Sequence, residues 1–289
     1  METLRKKLNI DELKAKALEV RRDIITMLTY AGSGHSGGSL SSTDYGTALF
    51  FNEMNIDPKN PEYSERDMWF FSIGHVTPVI YSLMAESGYF EKNALLKFRK
   101  LDGFLEGHPC KAHVPGIECS GGSLGQGLSV AVGAALGSRM DKHSRRVYAI
   151  CGDGELQEGQ IWEAVMFAAH YKLDNICVFV DYNRKQIDGD VEDIMGIHPL
   201  DEKFRSFNWN VITIDGHNFE EILAALEEAK NTKGKPTVIL GNTIMGKGVS
   251  FMEDLHTWHG NPPNKEQAEI ACKELGTTLE EWTTHLENN

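Results

Sequence analysis

Five short apolar runs, none of them alternating with polar residues, set the limits on what this chain can fold into. Residues 147–151 (VYAIC) end at a glycine, 176–180 (ICVFV) end at Asp181, and 211–214, 237–240 and 68–73 have the same form. A strand with one wet face alternates apolar and polar side chains. A continuous run is apolar on both faces, as in a parallel sheet covered on two sides. Helical patterns fill the gaps: Ile161, Val165, Ala168 and Ala169 share a face, and Phe219, Ile222, Leu223 and Leu226 recur at i, i+3, i+4, i+7. Residues 11–30 read as a long amphipathic helix. Strand–helix alternation predicts an α/β fold, a doubly wound, mainly parallel sheet with helices on both faces and ligands at the carboxyl ends of its strands. Pro262-Pro263 breaks the pattern. Residues 1–262 are therefore expected to form one domain, with 263–289 as its polar helical tail.

Charge narrows the function. Acidic residues number 42 against 29 basic, a net charge of −13, which argues against a nucleic-acid partner. With 41% hydrophobic residues the chain is no disordered polymer. No apolar run reaches the roughly 18 residues of a membrane span, and the charged stretch METLRKKLNIDELKAKALEV lacks the apolar centre of a secretion signal. The cysteines (Cys110, Cys119, Cys151, Cys177, Cys272) are odd in number and form no C-x-x-C pair. Free thiols in a reducing cytoplasm are expected, and zinc is not.

Glycine clusters at 32–38, 121–127, 152–159 and 241–248 mark sharp turns or close backbone approach to a ligand. The third, GDGELQEG, follows a predicted strand and precedes a predicted helix, which presents Asp153 at the sheet's carboxyl edge. About 30 residues later, Asp181-Tyr182-Asn183 ends the next strand. A carboxylate and an amide oxygen from neighbouring strand ends suit a Mg²⁺ ion that completes its shell with water and phosphate oxygens. Residues 121–127 open a helix rich in alanine and glycine, whose free N–H groups suit an anion. His35, His75 and His108 each adjoin glycine, where neutral imidazoles can bond phosphate or sugar oxygens and move protons near pH 7. Arg99, Arg145, Arg146 and Arg205 fall in no such segment and are expected on the surface. His113, His143, His170, His198, His217 and His285 are expected to be structural or superficial.

GDG followed about 30 residues later by asparagine resembles the cofactor motif of thiamine-diphosphate enzymes, and GDGELQEG with DYNRKQIDG resembles the transketolase family in particular. The similarity extends to AGSGHSGG, SIGH, LEGHP, GGSLGQG, MGKG and WHG along nearly the whole chain. It implies that Asp153, Asn183 and the Lys185 carbonyl ligate Mg²⁺ (or Ca²⁺ or Mn²⁺). Thiamine diphosphate would lie against His75, Gly122, Ser123, Leu124, Gly154 and Glu155. His35, His108 and one of His256 or His259 would assist proton transfers at sugar hydroxyls, and Glu158 would link the two cofactor sites of a dimer.

The resemblance covers only the family's first domain. The pyrimidine-binding domain, with the glutamate needed to activate the cofactor, has no counterpart here. The chain is therefore expected to be the N-terminal subunit of a split transketolase, moving a two-carbon ketol unit between sugar phosphates. It would act only with a separate C-terminal subunit, in a two-plus-two complex. The alternatives are the α-subunit of a 2-oxo-acid dehydrogenase, a deoxyxylulose-phosphate synthase fragment and a non-catalytic regulatory subunit. DYNRKQIDG and WHG favour transketolase over the first two, and intact GDG and Asn183 argue against the third. A nicotinamide-binding Rossmann protein fails for want of G-x-G-x-x-G.

Overall fold

A computed structural model describes residues 7–289; the first six residues of the charged N-terminal stretch lie outside the described residues. All five predicted strands are present: β1 (Met68–Phe71), β2 (Val147–Gly152), β3 (Ile176–Tyr182), β6 (Asn210–Asp215) and β7 (Thr237–Asn242). They form one parallel sheet in the order β1-β2-β3-β7-β6. The first run stops at Phe71, two residues short of its expected end. Between β3 and β6 a small antiparallel hairpin intervenes, β4 (Lys185–Gln186) with β5 (Gly189–Asp190). Two short helices, α7 (Val191–Met195) and α8 (Leu200–Ser206), lead from it to β6.

The runs are continuous because successive side chains enter two different cores. Tyr148, Ile150, Cys177, Phe179 and Ile239 face one core, which holds α1 (Ile10–Ala31), α4 (Thr77–Ser87) and α9 (Phe219–Asn231). Ala149, Cys151, Val178, Val180 and Val238 face the other, under α5 (Gln126–Met140) and α6 (Gly159–His170). The crossover through α6 and that through α9 thus lie on opposite faces, which makes the sheet doubly wound. Phe179 is fully buried and stacks on Tyr45 at 3.8 Å, an arrangement worth about 2–3 kcal/mol of apolar burial. A Cβ on Gly241 of β7 would come within 2.2 Å of that phenyl ring, so β7 needs glycine opposite β3 there.

Two regions depart from expectation. Residues 37–53, read only as a glycine turn and its sequel, form helices α2 (Gly37–Ser41) and α3 (Thr43–Ala48) and a π-helical turn (Leu49–Glu53). Apart from Asn52 their residues are all buried, and the small ones among them allow that close packing. The C-terminal stretch is two helices, α10 (Lys265–Glu274) and α11 (Leu279–Glu287), each opened by a capping box. Nor is it polar throughout: Ala271, Cys272, Leu275, Trp282 and Leu286 are buried, and Trp282 Nε1 donates to Asp23 Oδ1 of α1 at 2.9 Å.

Candidate functional site

A cleft of ≈ 330 Å³ opens at the carboxyl ends of β2 and β3. Asp153 follows β2 directly. Its Oδ1 accepts from the Gly154 N–H at 2.8 Å and its Oδ2 from the Arg184 N–H at 2.5 Å. Burial, and then the negative charge of Asp181, push its carboxyl up to about 7. Asp153 is thus a buried acid facing a second acid, the condition in which a cation is most strongly favoured. Asn183 lies just beyond β3, and its Oδ1 accepts from the Lys185 N–H at 3.0 Å. Arg184 between them has φ 63°, a left-handed conformation unusual outside glycine. Its guanidinium is held by Asn242 Oδ1 at 2.6 Å and lies over the Tyr182 ring at 4.7 Å.

Asp181, in the sequence only the end of a strand, holds this edge together. It is fully buried. Its Oδ2 accepts from Ser41 Oγ at 2.5 Å and Ser42 Oγ at 3.1 Å, and its Oδ1 accepts from Thr243 Oγ1. The α2–α3 junction and the end of β7 thereby converge on β3. Nearby, Asp44 accepts from Arg21 at 2.9 and 2.7 Å and pairs with His217 Nδ1 at 2.7 Å. Against its burial, the Arg21 charge and then the His217 bond hold its carboxyl down at about 2. His217 is structural, as expected, and partly buried.

Three of the five predicted histidines meet. The rings of His35 and His75 are 4.8 Å apart, His75 and His259 5.1 Å, and His35 and His259 5.8 Å. All three line the cleft. Ser36 Oγ lies within hydrogen-bonding distance of the Trp258 carbonyl (3.1 Å) and the Asn261 carbonyl (2.6 Å), which draws the 256–261 turn onto the start of α2. A Cβ on Gly37 would meet the Met245 side chain at 2.6 Å. Burial, and then the neighbouring His259, lower His35 to about 4 and His75 to about 3, and burial lowers His259. All three imidazoles are neutral at pH 7. The buried Nδ1 atoms of His35 and His259 find no hydrogen-bond partner in the protein, an uncommon state for buried polar atoms.

The other predicted residues divide. Gly122, Leu124, Gly154, Glu155, Glu158 and Lys185 line the cleft. Ser123 is exposed and does not. The Glu155 side chain is a strut: it accepts from Ser72 Oγ at 2.5 Å and the Gly125 N–H at 2.7 Å, both on Oε1, and from the Gly152 N–H at 3.2 Å on Oε2. His108 sits at the rim, in a neighbouring groove, and its ring would lie 3.6 Å from a Cβ on Gly122. His256 is on a 3₁₀ turn and away from the cleft wall, so His259 is the member of that pair that reaches it. Arg99, expected on the surface, is half-buried in the His108 groove. Gln157, Gln186, Ile187 and Met245 also line the cleft; they lie within GDGELQEG, DYNRKQIDG and MGKG, but residue type alone gave them no role there.

Hard oxygen donors on one wall, a glycine-rich backbone on another and neutral imidazoles opposite suit a divalent cation carrying an anionic, partly apolar ligand. Gly74 and Gly122 touch so closely that a Cβ on Gly74 would fall 2.7 Å from the Gly122 N, which keeps that wall flat and its amides accessible.

Residues 13–284 match the family described as transketolase, thiamine diphosphate binding domain. The chain is 44% identical to the 6-deoxy-6-sulfo-D-fructose transketolase subunit SqwG of Clostridium sp. (strain MSTE9), over 91% of this chain and 96% of that one. It is 39% identical to one of the subunits of the apulose-4-phosphate transketolase of Actinobacillus succinogenes, over 93% of this chain and 97% of that one. Human transketolase is 37% identical over 94% of this chain but only 43% of its own length. Among solved structures, transketolase from Campylobacter jejuni superposes with a TM-score of 0.90 at 33% identity, covering 96% of this chain and 46% of that one. The chain thus spans nearly all of the separate subunits it resembles and less than half of the long transketolases.

Proposed function

The chain belongs to the transketolase family, and on that premise we propose that it is the N-terminal, diphosphate-binding subunit of a split transketolase. It would transfer a two-carbon ketol unit from a ketose phosphate to an aldose phosphate, together with a separate chain that supplies the pyrimidine-binding domain. The observation that carries this reading is the cleft, where Asp153 and Asn183 face three neutral histidines across a glycine-lined wall. Its support from outside is the near-complete coverage of two relatives that are themselves named as subunits.

In this reading Asp153, Asn183 Oδ1 and the Lys185 carbonyl would hold Mg²⁺, or Ca²⁺ or Mn²⁺ in its place, whose charge would favour a bound diphosphate. Gly122, Leu124 and Gly154 shape the bed for the cofactor, and His75 adds a polar contact. Thiamine diphosphate supplies a carbon nucleophile that also accepts the electron pair released on C–C cleavage. The chain's own residues bind, orient and move protons. His35 and His259, neutral imidazoles that line the cleft, take a proton from a sugar hydroxyl and return it. His108 and Arg99, at the rim, meet the phosphate-bearing end of the sugar. The Glu155 carboxylate is fully engaged with the protein and acts by holding the Gly125 and Gly152 backbone in place.

Self-association belongs to the same reading, as one pair of a two-plus-two complex. Val130 and Met140 of α5 and Met166 and Phe167 of α6 are 46%, 73%, 56% and 40% exposed. Gly133 and Gly137 on α5 have open space over them. Such an apolar face with small residues suits close helix packing, and Glu158, just before α6, is exposed and in this reading would contact the second copy. The five unpaired cysteines fit a cytoplasmic location.

The test is to purify the chain with its partner from its own cells and measure ketol transfer from xylulose 5-phosphate to ribose 5-phosphate. Transfer that needs thiamine diphosphate, a divalent cation and both chains supports the reading; full activity in this chain alone overturns it.

A further inference from the structure

The segment between α4 and α5 carries a second constellation of ligating side chains, outside the cleft. Glu106, Cys110 and His113 each offer one donor atom, and the three atoms lie within 4.8 Å of one another. A single turn arranges this: the N–H groups of His113 and Val114 both donate to the Cys110 carbonyl, at 3.2 and 3.1 Å. Cys110 and His113, three residues apart, therefore project from one side of the turn. Glu106 closes the triangle, with its Oε1 2.6 Å from His113 Nδ1. Glu106 and His113 are exposed and Cys110 is half-buried, so the group is open to solvent and its side chains can rotate.

We propose that Glu106, Cys110 and His113 form a binding site for a borderline-soft divalent cation of the zinc type, with water in the fourth position. Tetrahedral zinc takes sulfur at about 2.3 Å and nitrogen or oxygen at about 2.0–2.2 Å, so its ligand atoms stand roughly 3–4 Å apart. Exposed side chains already within 4.8 Å reach that spacing by small rotations. One thiolate, one imidazole and one carboxylate select zinc over magnesium. The oxygen donors of Asp153 and Asn183 select the reverse, so the chain sorts two metals between two sites. Cysteine spacing gives no hint of this, because only one sulfur takes part. Zinc binds sulfur as thiolate, so binding releases protons and strengthens as pH rises.

The site is coupled to the cleft. The Gly121 N–H donates to the Pro109 carbonyl at 3.0 Å and the Lys111 N–H to Ser120 Oγ at 3.1 Å. These bonds tie the turn to the glycine loop against which the His108 ring packs. A cation there clamps the segment carrying His108. The existence of the site does not depend on the function proposed above.

The test is a Co²⁺ titration of the chain, stripped of metal and purified with its partner still bound, read by absorption. One equivalent should bind with an intense near-ultraviolet thiolate-to-cobalt band, and Zn²⁺ but not Mg²⁺ should displace it. Cys110→Ser should abolish the band, His113→Ala should weaken binding at least tenfold, and Cys119→Ser should leave both unchanged. The histidine cluster in the cleft contains no sulfur and gives no such band. No band at all, or a band lost in Cys119→Ser and kept in Cys110→Ser, overturns the proposal. Because His113 is exposed, its variant tests the site even if Cys110→Ser folds poorly.

Discussion

Asn183 Nδ2 donates to Asp181 Oδ2 at 3.2 Å while Asn183 Oδ1 accepts from the Lys185 N–H at 3.0 Å. A carboxylate can only accept and an N–H can only donate, so these two bonds fix which end of the amide carries the oxygen. Asp181 is thereby a positioning residue for Asn183, as well as a negative charge beside Asp153. Asp181→Asn keeps the shape, removes the negative charge and turns one of the two acceptor oxygens into a donor. Divalent-cation affinity should fall about tenfold or more, as for other residues behind a metal ligand. Mn²⁺ binding followed by electron paramagnetic resonance measures this without any assay of activity. Unchanged Mn²⁺ affinity would show that Asn183 needs no such support.

The raised carboxyl of Asp153 makes a pH prediction. Its folded value of about 7 lies above its ordinary 3.8, so the folded state holds a proton that the unfolded state releases. The associated stability is fully present below about pH 3.8 and is lost as pH rises through about 7, a difference of roughly 4 kcal/mol. Without cation, Asp153→Asn should therefore gain stability relative to wild type as pH rises from 4 to 8. Added Mg²⁺ should stabilise wild type most at the upper end of that range. Urea unfolding at several pH values, with and without Mg²⁺, measures both trends; parallel curves for the two proteins would sink the idea.

Gly74→Ala tests the flat wall. The new methyl would press on the Gly122 backbone at 2.7 Å, not on a flexible side chain. A loss of about 1–3 kcal/mol is expected from the overpacking. Binding of thiamine diphosphate, followed by tryptophan fluorescence, should weaken as well. Gly133→Ala on α5, which meets nothing within 4 Å in this chain, is the control for stability.

Glu155 and Glu158 lie three residues apart and should behave differently. Glu155→Gln places an amide where Ser72 Oγ and the Gly125 and Gly152 N–H groups all need an acceptor. It should cost about 2–3 kcal/mol of stability. Glu158→Gln changes an exposed side chain and should leave melting of the dilute chain unchanged within about 0.5 kcal/mol. If Glu158 reaches a second copy, sedimentation of that variant at increasing concentration should show weaker self-association.

Much of this is legible in the sequence for a physical reason. Strands buried on both faces must be apolar throughout, so all five runs stand out. The glycines and the Asp153–Asn183 spacing announce a strand-end site because backbone conformation there is written in residue type. Asp181 is not legible: its partners Ser41, Ser42 and Thr243 are distant in sequence and meet it only through the sheet and the α2–α3 junction. The helices of residues 37–53 are hidden because small residues such as Gly38, Ser39 and Ser42 show no apolar periodicity when every side is buried. Cys110 and His113 look like a stray thiol and a surface histidine until the turn sets them side by side.

The strand order also governs how the chain must assemble as it is made. β6 leaves the ribosome before β7, yet β7 lies between β6 and β3. Residues 210–215 therefore have no partner in the sheet until residue 242 has been synthesised. The bond between Trp282 and Asp23 closes 259 positions of chain and comes later still. Such long-range closures slow folding, and the nascent chain must hold an unpaired strand edge in reserve while it waits. Fragments released before about residue 242 should collect on chaperones or aggregate through that edge, whereas chains released after α11 should not.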